Sequence, residues 1–258
     1  MKNDEFNSYE MKPEDIIDSD YLLTYKEHHK DLYDRLVRLD TSIIILEKMA
    51  KFNFDLFIGL KEMSFWQMVY WNFKDISIII ICGLMTDKGK NTHTLTKFKN
   101  DILKNIKPEL KYSFQKKIKT TKFNERLKEM SERAENIRNQ FVAHRLFREN
   151  TKQLTEDAGG LAVSELRLLF QQINKLFQTC SFGSEYGTAL MDFMDTTVGG
   201  KPTQSHLDDI FDLIVKDSYF LNEPEKNDYY WESLKKYKSP EEIEILNFYR
   251  KKFGMPDV

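Results

Sequence analysis

Apolar residues in this chain return at steps of three and four over long stretches, the spacing that keeps them on one face of an α-helix. Leu32, Leu36, Leu39, Ile43, Leu46 and Ala50 form such a face in a helix beginning near Asp20. Phe65, Met68, Val69, Phe73, Ile76 and Ile80 predict a second long helix over about 65–86, with Ser64 and Gln67 at capping-box spacing at its start. Within it the run SIIIIC, residues 77–82, is rich in β-forming residues. An isolated strand would have no partner in this sequence, so a helix buried on most sides is expected there instead. A short helix with Leu95, Phe98, Ile102 and Ile106 inward should stop near Lys107, because a residue before proline is biased away from helix. Pro108 then suits the first turn of the next, which carries Leu110, Phe114 and Ile118. The clearest stripe is Phe123, Leu127, Met130, Ala134, Ile137 and Phe141, and its next step of three lands on His144. Val163, Leu166, Phe170, Ile173, Phe177 and Cys180 predict a helix returning across the bundle, and Tyr186, Leu190 and Phe193 a last short one.

Where the periodicity stops, it marks the organisation. Residues 1–19 are polar and carry no stripe; residues 20–195 hold the helical bundle. The segment Thr196–Pro202, TTVGGKP, reads as a boundary, and residues 203–258 as a small helical C-terminal extension of two or three short helices. In that extension Ser239-Pro240-Glu241-Glu242 combines an N-cap, a first-turn proline and a capping-box glutamate, whereas His206 has no evident partner. Tyr229, Tyr230 and Trp231 are expected to anchor it onto the bundle. With 10 glycines and 6 prolines against 41% hydrophobic and 31% charged residues, the composition favours long amphipathic helices. An all-α fold is expected.

A formal net charge of -2 gives no global attraction to nucleic acid, so any such contact must be local. Basic residues do gather between Lys97 and Lys122, where Asp101 and Glu109 are the only acids. Lys111, Lys116, Lys117, Lys119 and Lys122, with Arg145, are the candidate contacts to an RNA backbone. Cys82 and Cys180 stand far apart with no Cys or His at ligand spacing, which argues against a zinc site or a disulfide framework and fits a reducing cytosol. Residues 1–20 are acidic without an apolar core segment, so no signal peptide is expected. The most apolar run, Ile76–Met85, is half the ~20 residues a bilayer span needs, so no membrane segment is expected either. His28 and His29 are adjacent and point about 100° apart, which suits solvated side chains better than a chelating pair. Trp66, Tyr70 and Trp71 suit core or dimer-interface packing better than base stacking, and Gly89-Lys90, before His93 at the end of its loop, is too short for a phosphate cradle.

Candidate chemistry concentrates at Ile137–Arg145, IRNQFVAHR. A histidine holds or releases a proton near neutral pH, and an arginine offers a fixed cationic fork that suits the oxygens of a phosphate in transition. Those two functions are what RNA cleavage by the ribose 2′-OH requires, since the nucleophile belongs to the substrate and the developing charge needs only a cation. His144 is thus a candidate general acid or base, Arg138 a transition-state stabiliser, and Asn139 a group to position phosphate or imidazole. On an ideal helix Arg138 and His144 lie about 120° apart around the axis and about 9 Å apart along it. Two chains meeting on this face could bring two Arg-His sets into one groove; local unwinding near Asn139 is the other geometric route.

The arrangement resembles the Arg-polar-x(4)-His motif of the HEPN superfamily, and the surrounding pattern looks like its abortive-infection (AbiU-like) branch. Arg138, Asn139 and His144 match the motif, and the resemblance covers most of residues 20–195. It implies an antiparallel up-and-down helical bundle and a metal-independent endoribonuclease of phage defence or a toxin system, without cofactor. It also implies a homodimer with paired motifs, and an antitoxin or regulatory protein as a possible partner. A tyrosine two residues after the motif histidine, the target of antitoxins of one branch, is replaced here by Leu146. The alternative reading is a non-catalytic HEPN-type module that binds RNA or nucleotide or regulates a partner.

Overall fold

Pro13 opens the short helix α1 (Pro13–Ile16), where a proline costs no hydrogen bond because its missing N–H would be unpaired anyway. The computed structural model describes residues 11–58, 60–87, 89, 92–148, 161–183, 197–198, 201–218, 236 and 238–255; the side chains at 55, 60–62, 140–148, 197–198 and 201–205 are outside that description. After α1 come α2 (Ser19–Lys51), α3 (Phe54–Phe57), α4 (Leu60–Met85), α5 (Leu95–Asn105), α6 (Pro108–Thr120), α7 (Phe123–Arg148) and α8 (Val163–Cys180). A two-residue antiparallel pair, β1 (Thr197–Val198) with β2 (Lys201–Pro202), leads into α9 (Thr203–Asp217) and then α10 (Pro240–Lys252). The fold is an all-α bundle.

The chain divides into two compact units, Met1–Leu46 with Asn72–Asp195, and Glu47–Trp71 with Thr196–Val258. In the first, α5 and α6 follow the expected pattern: Leu95, Phe98, Ile102, Phe114 and Ile118 are buried, and Thr94 caps α5 by accepting from the Lys97 N–H at 3.2 Å. The break between them at Lys107 is stitched to α1, with Asp18 N–H donating to Asn105 O and Lys107 N–H to Ile16 O, both at 2.9 Å. Helix α8 buries Leu166, Phe170, Ile173, Phe177 and Cys180. Tyr25 of α2 holds its end: the ring stacks on Phe98 and Phe182, while the hydroxyl donates to Cys180 O and accepts from the Phe182 N–H, each at 3.2 Å. Asp40, almost wholly buried on α2, pairs with Arg167 of α8.

The second unit shows why 47–71 leaves the bundle expected to hold it. Leu56 and Phe57 of α3 share a core with Val215 of α9 and Leu246 of α10, and Phe52 stacks on Phe211 at 4.3 Å. Aromatic area buried locally outweighs continuity along α2 and α4 in deciding where this segment belongs. Ser239 caps α10 in a reciprocal box with Glu242, as its sequence implies.

Helix α4 departs from expectation in two ways. It begins at Leu60, so Ser64 lies inside it and caps nothing. Its inward face is Ile78, Ile81, Cys82, Leu84 and Met85, whereas Phe65, Met68 and Ile76 of the expected core stripe are exposed, and so is Ile79. The helix is therefore not buried on most sides. Ala50, placed on the core face of α2, is likewise exposed, while Leu32, Leu36, Leu39, Ile43 and Leu46 are buried. The polar segment 149–160, the expected helix around Tyr186, Leu190 and Phe193, and Tyr229–Trp231 lie outside the described residues.

Candidate functional site

Helix α7 starts after a tight turn in which Lys122 takes φ 50°, and it buries Phe123, Leu127, Met130, Ala134 and Ile137. That stripe is used inside the chain. Ser131 Oγ donates to Met85 O at 3.3 Å and Cys82 Sγ to Ala134 O at 3.5 Å, so α7 lies against α4; Arg133 reaches Glu165 of α8 at 3.6 Å. The face is covered within the chain as far as Ile137; the side chains that continue it, Phe141 and His144, lie outside the described residues.

Arg138 and Asn139 follow directly and are exposed. Arg138 sits on the α4 side of the helix: burial pushes the Cys82 thiol up, and the charge of Arg138 partly offsets this. Among the described residues no carboxylate forms an ion pair with Arg138. The backbone of α7 stays helical through Arg148, so Asn139 is not a point of unwinding. His144 and Arg145 lie in this last part of the helix, and their side chains fall outside the described residues.

The basic patch sits on α6 and the turn after it, and α6 packs directly against α7. Lys111, Lys116, Lys119 and Lys122 are exposed. Lys117 is not like them: burial lowers its pKa, and it lies close enough to feel Cys180, whose thiol burial pushes up to about 12 with Lys117 and Lys99 opposing. It is a half-buried neighbour of α8 rather than part of an open cationic face. Tyr112, 77% exposed among these lysines, escaped the sequence reading because a single tyrosine at a helical position carries no signal of its orientation.

A second gathering of titratable groups lies where α2 meets the start of α5. The His28 and His93 rings are 3.9 Å apart; His93 Nδ1 lies 3.1 Å from Asp31, and Arg35 lies 3.0 Å from the same carboxylate while donating to His93 O. Burial and then the His93 charge lower the His28 pKa. His29, also expected in solvent, is 1% exposed and bonded to Ser181 Oγ at 3.1 Å among Tyr25, Phe98 and Phe177. Burial pushes it down to about 4. The expectation failed for both because adjacent polar residues on a long helix look solvated until a neighbouring helix covers them. Among the described residues no three His, Cys, Asp or Glu side chains form a group that could hold a metal.

Fold and site together define an all-α helical bundle with an exposed Arg-Asn pair on α7 beside a basic α6. No family model matches the chain, and no curated protein or solved structure matches it.

Proposed function

We propose that this chain is a cytoplasmic, metal-independent endoribonuclease of the HEPN type, acting in phage defence or as a toxin. The observation that carries the reading is the exposure of Arg138 and Asn139 directly after the buried residue Ile137, on a helix whose backbone continues through His144. The RNA backbone would cross Lys111, Lys116, Lys119 and Lys122, with Tyr112 offering a base-stacking face, a combination that suits single strands. Arg138 would hold the phosphate oxygens as charge develops, His144 would move the proton, and Asn139 would orient one or the other. The ribose 2′-oxygen attacks phosphorus, the P–O5′ bond breaks, and the 5′-oxygen leaves with a proton. The products are a 2′,3′-cyclic phosphate and a 5′-hydroxyl. A homodimer is part of this reading, and so is an antitoxin or regulatory partner.

The test is cleavage of a mixed RNA pool by the purified chain in EDTA, beside Arg138→Ala and His144→Ala. Wild type should release cyclic-phosphate ends, and each variant should lose at least ~100-fold in rate, the scale of losing one stabilising or proton-transfer group. Undiminished cleavage by either variant rejects the assignment. RNA binding without product, at any pH or with added metal, would instead favour the non-catalytic module.

A further inference from the structure

We propose that the groove between α3 and α10, in the second unit, binds a small zwitterion with an aromatic body, of the aromatic α-amino-acid class. The groove offers a volume of about 370 Å³. Sites for small molecules run from about 300 to 1,000 Å³, so this one takes a single small molecule and not a helix or a polynucleotide. One wall is the last residue of α2 with the turn into α3, and it carries Lys51, Phe52, Asn53 and Phe57. The other is a face of α10, where Glu241, Glu244 and Phe248 stand at steps of three and four beside Tyr249. Both walls belong to the second unit.

The floor is aromatic. Phe57 is 4% exposed, and its ring lies 5.2 Å from that of Tyr249 and 5.6 Å from that of Phe52. Phe248, 63% exposed, stands perpendicular to Tyr249 at 5.2 Å. A solitary exposed phenylalanine means little, but one that lines a pocket beside buried rings gives a ligand ring a further surface to pack on.

The charges divide by wall. Lys51 is the cation on the α2–α3 side, and Glu241 and Glu244 are the anions on the α10 side. Among the described residues none of these three enters an ion pair, whereas charged groups nearby do: Lys48 with Asp208 at 2.8 Å, Lys252 with Asp212 at 2.6 Å, and Lys238 with Glu242 at 3.1 Å. Opposite charges on facing walls that do not meet leave room for a ligand carrying both. Its ammonium turns to Glu241 and Glu244, its carboxylate to Lys51, and its ring to Phe57 and Tyr249. Asn53 adds a neutral donor: it holds the N-cap position of α3, yet its side chain caps nothing, so its amide remains for the ligand carboxylate. A cation alone would meet Lys51, an anion alone two carboxylates, and an uncharged body would satisfy none of the three. The site shares no residue with Arg138 or with α6, so it stands whether or not the chain cuts RNA.

The experiment titrates the full chain by saturation-transfer difference NMR with three probes: L-phenylalanine; 3-phenylpropionate, which lacks the ammonium; and phenethylamine, which lacks the carboxylate. L-Phenylalanine should bind with a Kd on the order of 1 mM, the scale for about twelve non-hydrogen atoms. Each one-charge analogue should bind about 3-fold more weakly, the scale of a solvent-exposed ion pair. Glu241→Gln with Glu244→Gln should erase the preference over 3-phenylpropionate and keep that over phenethylamine, and Lys51→Gln should do the converse. Phe248→Ser should weaken all three probes, with an unchanged circular-dichroism spectrum because the residue is exposed. No transfer to L-phenylalanine at about 10 mM overturns the proposal. Equal affinity for the three probes, or preferences that survive the charge variants, overturns it as well, and so does binding that Phe248→Ser leaves unchanged, since the ligand then sits elsewhere.

Discussion

His29 carries a pH dependence that can be read directly from its surroundings. Burial holds its pKa at about 4, below the ~6.5 of an unfolded histidine, so between those values the unfolded chain binds a proton that the native chain does not. Stability is complete above about pH 6.5 and falls as pH drops toward 4, by roughly 3 kcal/mol at most. Urea denaturation of wild type and His29→Gln across pH 4 to 7.5 should show the stability gap between them narrowing toward acid pH; a constant gap would mean that His29 does not titrate this way. Tyr25 makes a complementary case. Tyr25→Phe keeps the stacking on Phe98 and Phe182 but removes the hydroxyl shared by Cys180 O and the Phe182 N–H. Leaving buried polar groups short of a partner should cost about 1–2 kcal/mol, read as a lower urea midpoint at unchanged slope. Neither contact was legible in the sequence, because Tyr25 and His29 meet Cys180, Ser181 and Phe182 across more than 150 positions. His28 and His93 are likewise separated by 64 residues of intervening chain.

Helices whose apolar residues all face inward were legible from spacing alone. The stripes of α5, α6 and α8 and the first five positions of the α7 stripe correspond to buried side chains, with Leu110 and Val163 only partly covered. Helix α4 was legible as a helix and misread as to its face, for a physical reason: period 3.6 says that residues share a side, not which side meets the core. Two apolar stripes compete on α4, and the inward one carries the buried Lys74 and Asp75, which a sequence pattern assigns to solvent. Caps were legible where they sit at a true start. Ser239→Ala should remove the bond to the Glu242 N–H and cost about 1 kcal/mol, checked by thermal denaturation, whereas Ser64→Ala, inside α4, removes no cap.

For the molecule as a whole, the proposed RNA contact on a near-neutral chain would make the α6 patch the place where salt dependence is decided. Binding of single-stranded RNA should weaken linearly in log–log form with salt, and Lys116→Ala with Lys119→Ala should lower that slope by roughly 0.7 for each phosphate the removed lysines had neutralised. An unchanged slope would move the RNA path away from α6. The grouping of 47–71 with the C-terminal segment was not legible, because Phe52 and Phe211, the aromatics that join them, are 159 positions apart and nothing in their spacing marks them as partners. The hydrogen bonds between α4 and α7 carry one more consequence. Residue 131 meets 85 and residue 134 meets 82, so the two helices run in opposite directions with matched rise. Ten residues onward from Ala134 is His144, and ten residues back from Cys82 is Asn72, so the backbone of the motif histidine lies level with Asn72, still within the length of α4. If cleavage needs the homodimer of the proposed function, diluting the enzyme below its pairing constant would make the rate fall with the square of its concentration instead of in proportion to it. A plot of initial rate against protein concentration, on logarithmic axes, would turn from slope one to slope two.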